Sequence, residues 1–158
     1  MDQLLYAGTF LSVLGTGLIA GAFFAFSSFV MGALGKLAPA NGIPAMQSIN
    51  VVVINPLFLG VFVGTAVLCL ALACSALLRW SEPGSAYLLA GAAVYVFGTF
   101  IVTMALNVPL NDQLAAVDPS SANGASVWIR YLTDWTMWNH VRTGAALIAS
   151  ACLIKALP

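Results

Sequence analysis

The chain has 158 residues, of which 61% are hydrophobic and only 6% are charged, and its formal net charge is zero. About a quarter of the residues in a typical soluble domain are charged, so this composition excludes an ordinary soluble protein. Nucleic-acid binding requires a basic surface, so zero net charge predicts no nucleic-acid partner. The composition predicts a protein that lies within a lipid bilayer.

Long charge-free stretches predict membrane-spanning helices. No lysine, arginine, aspartate or glutamate occurs at residues 3–35, 37–78 or 83–111. A helix needs about 20 residues to cross a hydrocarbon core of about 30 Å, and four spans are therefore predicted. They cover about residues 4–30, 51–78, 85–106 and 138–157. We expect one all-α domain over residues 1–158, an integral membrane four-helix bundle in the bacterial inner membrane.

The first predicted span carries a close-packing motif. Gly17 and Gly21 form a GxxxG element, which lets two helix backbones approach closely in a membrane. The motif is compatible with packing between neighbouring spans of one chain or between two copies. A homo-oligomer is therefore one expectation.

Prolines mark two predicted helix boundaries. Pro56 lies inside an apolar run and is expected to kink or restart the helix beside Asn55. Pro109 is expected to end the third span between Asn107 and Asn111. Both places carry amide side chains, so the helix ends are also candidate polar sites.

Polar residues of the third span recur with helical spacing. Tyr95, Thr99, Thr103 and Asn107 are four residues apart and share a helix face. Polar side chains in lipid turn inward to find hydrogen-bond partners. This face is therefore expected to point into the bundle.

The fourth span contains the only histidine of the chain. His140 and Arg142 are drawn below the membrane surface, where ionisable groups are costly and usually functional. Thr136, Asn139, His140 and Thr143 fit one helix face by their spacing. Arg142 needs a partner, either Asp112 beyond the third span or neutral acceptors alone.

The four-span topology predicts one polar pocket on one side of the membrane. The segment after span 1 and the adjoining ends of spans 2, 3 and 4 lie on that side. The candidate catalytic residues are His140 and Arg142, and the candidate substrate-binding residues are Asn107, Asn111, Asn139, Asn50, Gln47 and Trp138. Trp138 also belongs to an aromatic stripe that fits either an interfacial belt or the wall of a substrate path.

The sequence is poor in ligands for a metal or a nucleotide cofactor. It has one histidine and no glycine-rich phosphate loop or dinucleotide fingerprint. The long apolar stretches contain no carboxylate that would complete a metal site. We expect no bound metal and no cofactor.

Five motifs resemble the anthrone oxygenase family of small membrane proteins. In chain order they are GLIAGAFFAFS at residues 17–27, MQSIN at 46–50, NPLF at 55–58, NVPLN at 107–111 and WTMWNHVRT at 135–143. The resemblance covers nearly the whole chain. It implies a hydrophobic aromatic small molecule and O₂ as partners within the bilayer, and an oxidation that proceeds without a cofactor.

The residue chemistry and the resemblance agree on one mechanism. An anthrone has an acidic CH₂ group, and removing a proton gives an enolate that reacts directly with O₂. His140 is the expected base, Arg142 stabilises the anion, and the neighbouring asparagines orient the substrate. The alternative is a non-catalytic membrane protein that binds a hydrophobic ligand or assists a partner complex.

Overall fold

The computed structural model describes residues 3–157 and contains five helices in this range. Helix α1 spans Gln3–Leu34, α2 spans Pro39–Val52 and α3 spans Pro56–Leu78. Helix α4 spans Ser85–Ala115, and α5 spans Ala122–Ala156. The described residues contain no strand, which confirms the all-α prediction. The predicted count of four helices is wrong by one, because α2 is a separate helix.

Three helices are long and apolar enough to cross a membrane, namely α1, α3 and α4. This finding is consistent with an integral membrane protein. Helix α5 has 35 residues, which is long enough, but it carries a polar stretch around Asn139 in its middle. Its C-terminal half packs against α1 and α4 with buried small residues such as Ala146 and Ala149.

Proline and asparagine side chains explain the break between α2 and α3. Pro39 stands in the first turn of α2, and Pro56 stands in the first turn of α3. The Asn55 side chain accepts a hydrogen bond from the Phe58 amide at 3.0 Å and so caps α3. Pro56 thus restarts the helix, which was one of the two outcomes that the sequence left open.

Helix α4 continues through Pro109, where the sequence analysis expected it to end. Its residues Val94–Ile101 and Thr103–Asn107 are π-helical, and α-helical geometry resumes at Val108. Pro109 therefore sits in the first turn of a renewed α-helical segment, where its missing N–H is tolerated. Helix α1 contains a further π-helical segment, Phe26–Val30. Such segments are rare and frequently lie at functional sites.

The glycines of α1 face two different environments. A Cβ added at Gly15 would lie 3.2 Å from Thr65 Cβ of α3, so this glycine permits a close helix contact. A Cβ added at Gly17 or Gly21 would meet nothing within 4 Å. The GxxxG element therefore faces outward and does not join neighbouring helices of the described chain.

Candidate functional site

The centre of the candidate site is the buried side chain of Arg142. It is 5% exposed and lies between two aromatic rings, with its Cζ atom 3.8 Å from the Phe23 centroid and 4.7 Å from a Trp135 ring centroid. Its Nε donates to Asn139 Oδ1 at 2.9 Å, and Nη1 donates to Thr103 Oγ1 at 3.3 Å. These contacts fix a planar cation among α1, α4 and α5.

The acceptors around Arg142 are neutral. No ion pair joins this guanidinium to a carboxylate anywhere in residues 3–157. Asp112, the partner that the sequence analysis considered, is exposed. Of the two alternatives, the structure has the one in which neutral groups alone hold Arg142. A buried charge without a counter-ion costs several kcal/mol, so the site is electrostatically prepared for an anion.

Asn139 fixes the position of Arg142. Its Nδ2 donates to the Phe23 carbonyl oxygen at 2.7 Å and to Ser27 Oγ at 2.6 Å. A backbone carbonyl can only accept, so the amide orientation is determined and Oδ1 must face the guanidinium. Both N–H groups of the Asn139 amide therefore donate hydrogen bonds to acceptors on α1. Asn139, a candidate substrate-binding residue, therefore uses its amide oxygen on Arg142 and its two N–H groups on α1.

The polar face of α4 points inward, as its spacing predicts. Tyr95 donates to the Phe62 carbonyl oxygen at 3.1 Å, and Thr99 donates to the Arg142 carbonyl oxygen at 3.2 Å. Asn107 Nδ2 donates to the Trp135 carbonyl oxygen at 3.1 Å. The row therefore connects α4 to both α3 and α5, and its third member, Thr103, accepts a hydrogen bond from the guanidinium at 3.3 Å.

Two buried polar atoms of the residue pair that joins α4 to α5 at Trp135 lack hydrogen-bond partners. They are Asn107 Oδ1, in a residue that is 0% exposed, and Trp135 Nε1, in a residue that is 3% exposed. Leaving a buried acceptor or donor unpaired costs about 1–3 kcal/mol. The unpaired donor therefore belongs to a ring that packs on the Arg142 cation, and the unpaired acceptor belongs to the residue that bonds the backbone of Trp135.

A second polar cluster surrounds Tyr131, closer to the N-terminal end of α5. Its phenol donates to Asn111 Oδ1 at 2.8 Å and accepts from Asn50 Nδ2 at 3.5 Å. Gln47 Nε2 donates to the Leu114 carbonyl oxygen at 2.8 Å. Burial raises the pKa of Tyr131, so its phenol remains a proton donor in this cluster. The cluster ties α2 to α4 and α5.

An aromatic stack connects the two clusters. Tyr131 stacks on Trp128 at 5.8 Å and on Trp135 at 5.9 Å between ring centroids. Trp135 in turn contacts Phe26 of α1 at 5.7 Å. The candidate residues Gln47, Asn50 and Asn111 thus lie in the Tyr131 cluster, whereas Arg142 lies in the first cluster and Asn107 bonds the backbone of Trp135 between the two.

The structure does not bring His140 to these clusters. His140 is exposed, whereas Asn139 and Arg142 on either side of it are buried. Residues two apart on a helix point about 200° apart, so the imidazole and the guanidinium lie on nearly opposite sides of α5. Trp138 is half-buried and also lies apart from the Arg142 contacts. The sequence pattern of residues 136–143 placed His140 on the inner face, and this placement is wrong.

Some residues of the site carried little signal in the sequence. Phe23 belongs to a run of aromatic residues that also fits lipid-facing bulk, and Ser27 closes the motif at residues 17–27. Thr103 could be identified from the sequence as one of the polar residues that recur every four positions in α4. Within residues 3–157, no group of three or more histidine, cysteine, aspartate or glutamate side chains has the geometry to hold a metal ion.

The fold and the site define a helical, membrane-type protein with an uncompensated cation held between aromatic rings. The family model for anthrone oxygenase matches residues 58–152, which is more than half of the chain. The chain therefore belongs to the anthrone oxygenase family, as the five motifs indicated. No curated protein and no solved structure matches the chain.

Proposed function

We propose that this protein is a membrane-embedded oxygenase that works without a cofactor. Its substrate is an anthrone-like or other hydroxylated polycyclic aromatic molecule, and its oxidant is O₂. The observation that carries the proposal is Arg142, a buried guanidinium that neutral groups alone hold in place. Membership of the anthrone oxygenase family supports the same reaction type.

The proposed reaction inserts one oxygen atom and releases water. The substrate CH₂ group loses a proton to give an enolate, and the enolate carbon bonds to O₂ to form a peroxide anion. Taking up a proton gives a hydroperoxide, which loses water and leaves a ketone. One CH₂ group and one O₂ molecule thus give one C=O group and one water molecule. The protein accelerates the first step by stabilising the enolate charge.

Arg142 and Asn107 are the proposed substrate contacts. Two N–H groups of Arg142 bind Asn139 and Thr103, so further N–H groups of the same guanidinium are available to an enolate oxygen. The unpaired Asn107 Oδ1 accepts a hydrogen bond from a neighbouring hydroxyl of the substrate. A substrate that carries a carbonyl group next to an acidic CH₂ group, with a hydroxyl group nearby, therefore matches both side chains. Arg142 is buried, and the low dielectric constant of a buried position strengthens these interactions.

The remaining candidate residues have supporting roles in this proposal. Asn139 holds Arg142, while Gln47, Asn50 and Asn111 close the site towards α2 through the Tyr131 cluster. His140 faces the opposite side of α5, and so we do not assign it a contact with the same substrate molecule. The proton from the CH₂ group is therefore proposed to pass to a water molecule or hydroxide ion of the solvent.

The proposed setting is a four-span bundle in the bacterial inner membrane. Helices α1, α3 and α4 span the bilayer together with the C-terminal half of α5, from about residue 138 to residue 157. Helix α2 then lies near the membrane surface, with its buried residues Ile43 and Met46 against the Trp128 region. The outward GxxxG face of α1 supports association of two copies, because a second helix can approach its open glycines closely.

Oxygen uptake by the purified, detergent-solubilised chain tests the function. With a hydroxylated anthrone as substrate, we expect O₂ consumption and ketone formation in equal amounts, above the rate of spontaneous oxidation. With ¹⁸O₂, one labelled oxygen atom is expected in the product and one in water. A rate equal to that of buffer, combined with tight binding of the anthrone, would favour the alternative of a non-catalytic ligand-binding protein.

A further inference from the structure

A cavity of about 260 Å³ lies at the other end of α5 from the Arg142 cluster. It is formed by the C-terminal ends of α3 and α5 and by the turn that leads into α4. Its polar lining includes the side chains of Arg79, Glu82, Ser85 and Lys155. The volume lies just below the range of about 300–1,000 Å³ for drug-sized ligands, and so it suits a compact polar group.

Among the described residues that line this cavity there are two cations and one carboxylate. Arg79 Nη1 and Glu82 Oε1 form an ion pair at 3.8 Å, in which both side chains are substantially exposed. Lys155 adds a second positive charge, and its Nζ lies 5.3 Å from the centroid of the Tyr87 ring. The lining thus offers an ammonium group to an anion and a carboxylate to a hydrogen-bond donor. Lysine is an established phosphate-binding side chain.

The surroundings of the cavity match the interface between lipid headgroups and acyl chains. Trp80 and Tyr87 are 59% and 47% exposed, and such aromatic side chains typically lie at headgroup level. Leu78, on the last turn of α3, is 87% exposed and extends the apolar surface of a membrane-spanning helix. A molecule with a charged headgroup and an apolar chain can therefore contact the cavity and this surface together.

We propose that the cavity binds the headgroup of a phospholipid. The phosphodiester group contacts Lys155, and an ammonium or hydroxyl donor at the end of the headgroup contacts Glu82. The lipid chain lies along the exposed surface next to Leu78. This site is separate from the Arg142 cluster, so the inference does not rest on the proposed oxygenase activity.

Native mass spectrometry of the full detergent-solubilised chain tests the site. The probes are phosphatidylethanolamine and phosphatidylcholine with identical acyl chains, mixed in equal amounts. We expect phosphatidylethanolamine to be retained about fivefold more than phosphatidylcholine, because the quaternary ammonium of phosphatidylcholine has no N–H to donate. A roughly fivefold ratio corresponds to the loss of one partly exposed ionic contact. Inorganic phosphate in excess is expected to leave the bound lipid in place.

Three substitutions separate the two contacts. Glu82→Gln is expected to remove the preference between the lipids, whereas Lys155→Gln lowers the retention of both about fivefold. Lys155→Arg should restore retention, since it keeps the charge. Arg130→Gln is the matched control, because Arg130 is an exposed cation of the same helix outside the cavity and bonds Gln113 at 3.3 Å.

Several outcomes would overturn the proposal. Equal retention of the two lipids by the unchanged chain would remove the role of Glu82. An equal loss with Arg130→Gln would show unspecific charge attraction. Displacement by inorganic phosphate would assign the cavity to a free anion. Melting temperatures of the variants verify that each one is folded, and the exposed positions of Glu82 and Lys155 favour this result.

Discussion

Replacing Arg142 with methionine is expected to separate catalysis from stability. The guanidinium makes two charged hydrogen bonds and two cation–π contacts, which together contribute roughly 4–10 kcal/mol. Burying a charge without a counter-ion costs several kcal/mol, and methionine removes this cost. The opposing contributions nearly cancel, so we expect a net change of within about 2 kcal/mol. For a chain of this size, that corresponds to a shift in Tm of less than about 8 °C.

The same substitution should strongly reduce turnover. Removing one preorganised group that stabilises a developing negative charge typically lowers kcat by about 10²–10³. Oxygen uptake with a hydroxylated anthrone measures the rate, and thermal unfolding in the same detergent measures the stability. Arg142→Gln should lower turnover in the same way, because glutamine is also neutral.

Arg130→Met is the matched control for this experiment. Arg130 lies on the same helix but is exposed, so its loss should change neither turnover nor Tm appreciably. The reasoning would be refuted if Arg142→Met lowered Tm by much more than about 8 °C while the folded fraction kept full activity. That result would make Arg142 a purely structural residue.

Four further substitutions test other parts of the structure. Asn139→Asp places a carboxylate against Arg142, so turnover should fall at least about tenfold; Tm should fall too, because the two N–H donors to Phe23 and Ser27 are lost, and unchanged turnover in the oxygen-uptake assay would contradict the need for an uncompensated cation. His140→Ala should change turnover by less than about threefold, because the imidazole is exposed and faces away from the site; a loss of about 10²-fold or more would reinstate it as the base. Gly15→Ala should destabilise the fold by about 1–3 kcal/mol through a clash with α3, whereas Gly17→Ala should leave Tm of the monomer unchanged; equal melting temperatures would contradict this difference in packing.

The membrane character and the polar face of α4 could be predicted because they depend on composition and simple periodicity. Tyr95, Thr99 and Asn107 all point inward, since unpaired polar groups in lipid are costly on any other face. The approximate positions of the apolar spans follow from the absence of charges. The sequence also identified Arg142 as the group whose partner would decide between an enzyme and a scaffold.

The direction of His140 could not be predicted in the same way. Its spacing fits a face with Thr136 and Thr143, but Asn139 determines the rotation of α5 through its bonds to Phe23 and Ser27. In that rotation His140 lies outside the buried sector, about 100° around the helix axis from Asn139. Residue spacing shows which side chains share a helix face, but it does not fix the rotation of the helix. Only contacts between helices decide which residues at the margin of that face are buried.

The length of α4 was also beyond simple pattern analysis. The expectation that Pro109 ends the helix assumes regular α-helical geometry before it. The π-helical segments change the backbone hydrogen-bonding pattern there, and Pro109 then falls in a tolerated position. Nothing in residues 94–107 identifies a π-helix by composition alone, because its cause lies in the packing partners.

The π-helical stretches give α4 a second possible register. Each π turn holds more residues than an α turn, and a return to α geometry would displace the following residues around the helix axis. A slip of one residue rotates an α-helical face by about 100°. Such a slip at Thr103–Asn107 would turn Asn107 away from Trp135 and withdraw the hydroxyl of Thr103 from Arg142. The π-helical geometry at Thr103–Asn107 therefore sets the rotation at which α4 presents these two side chains to α5.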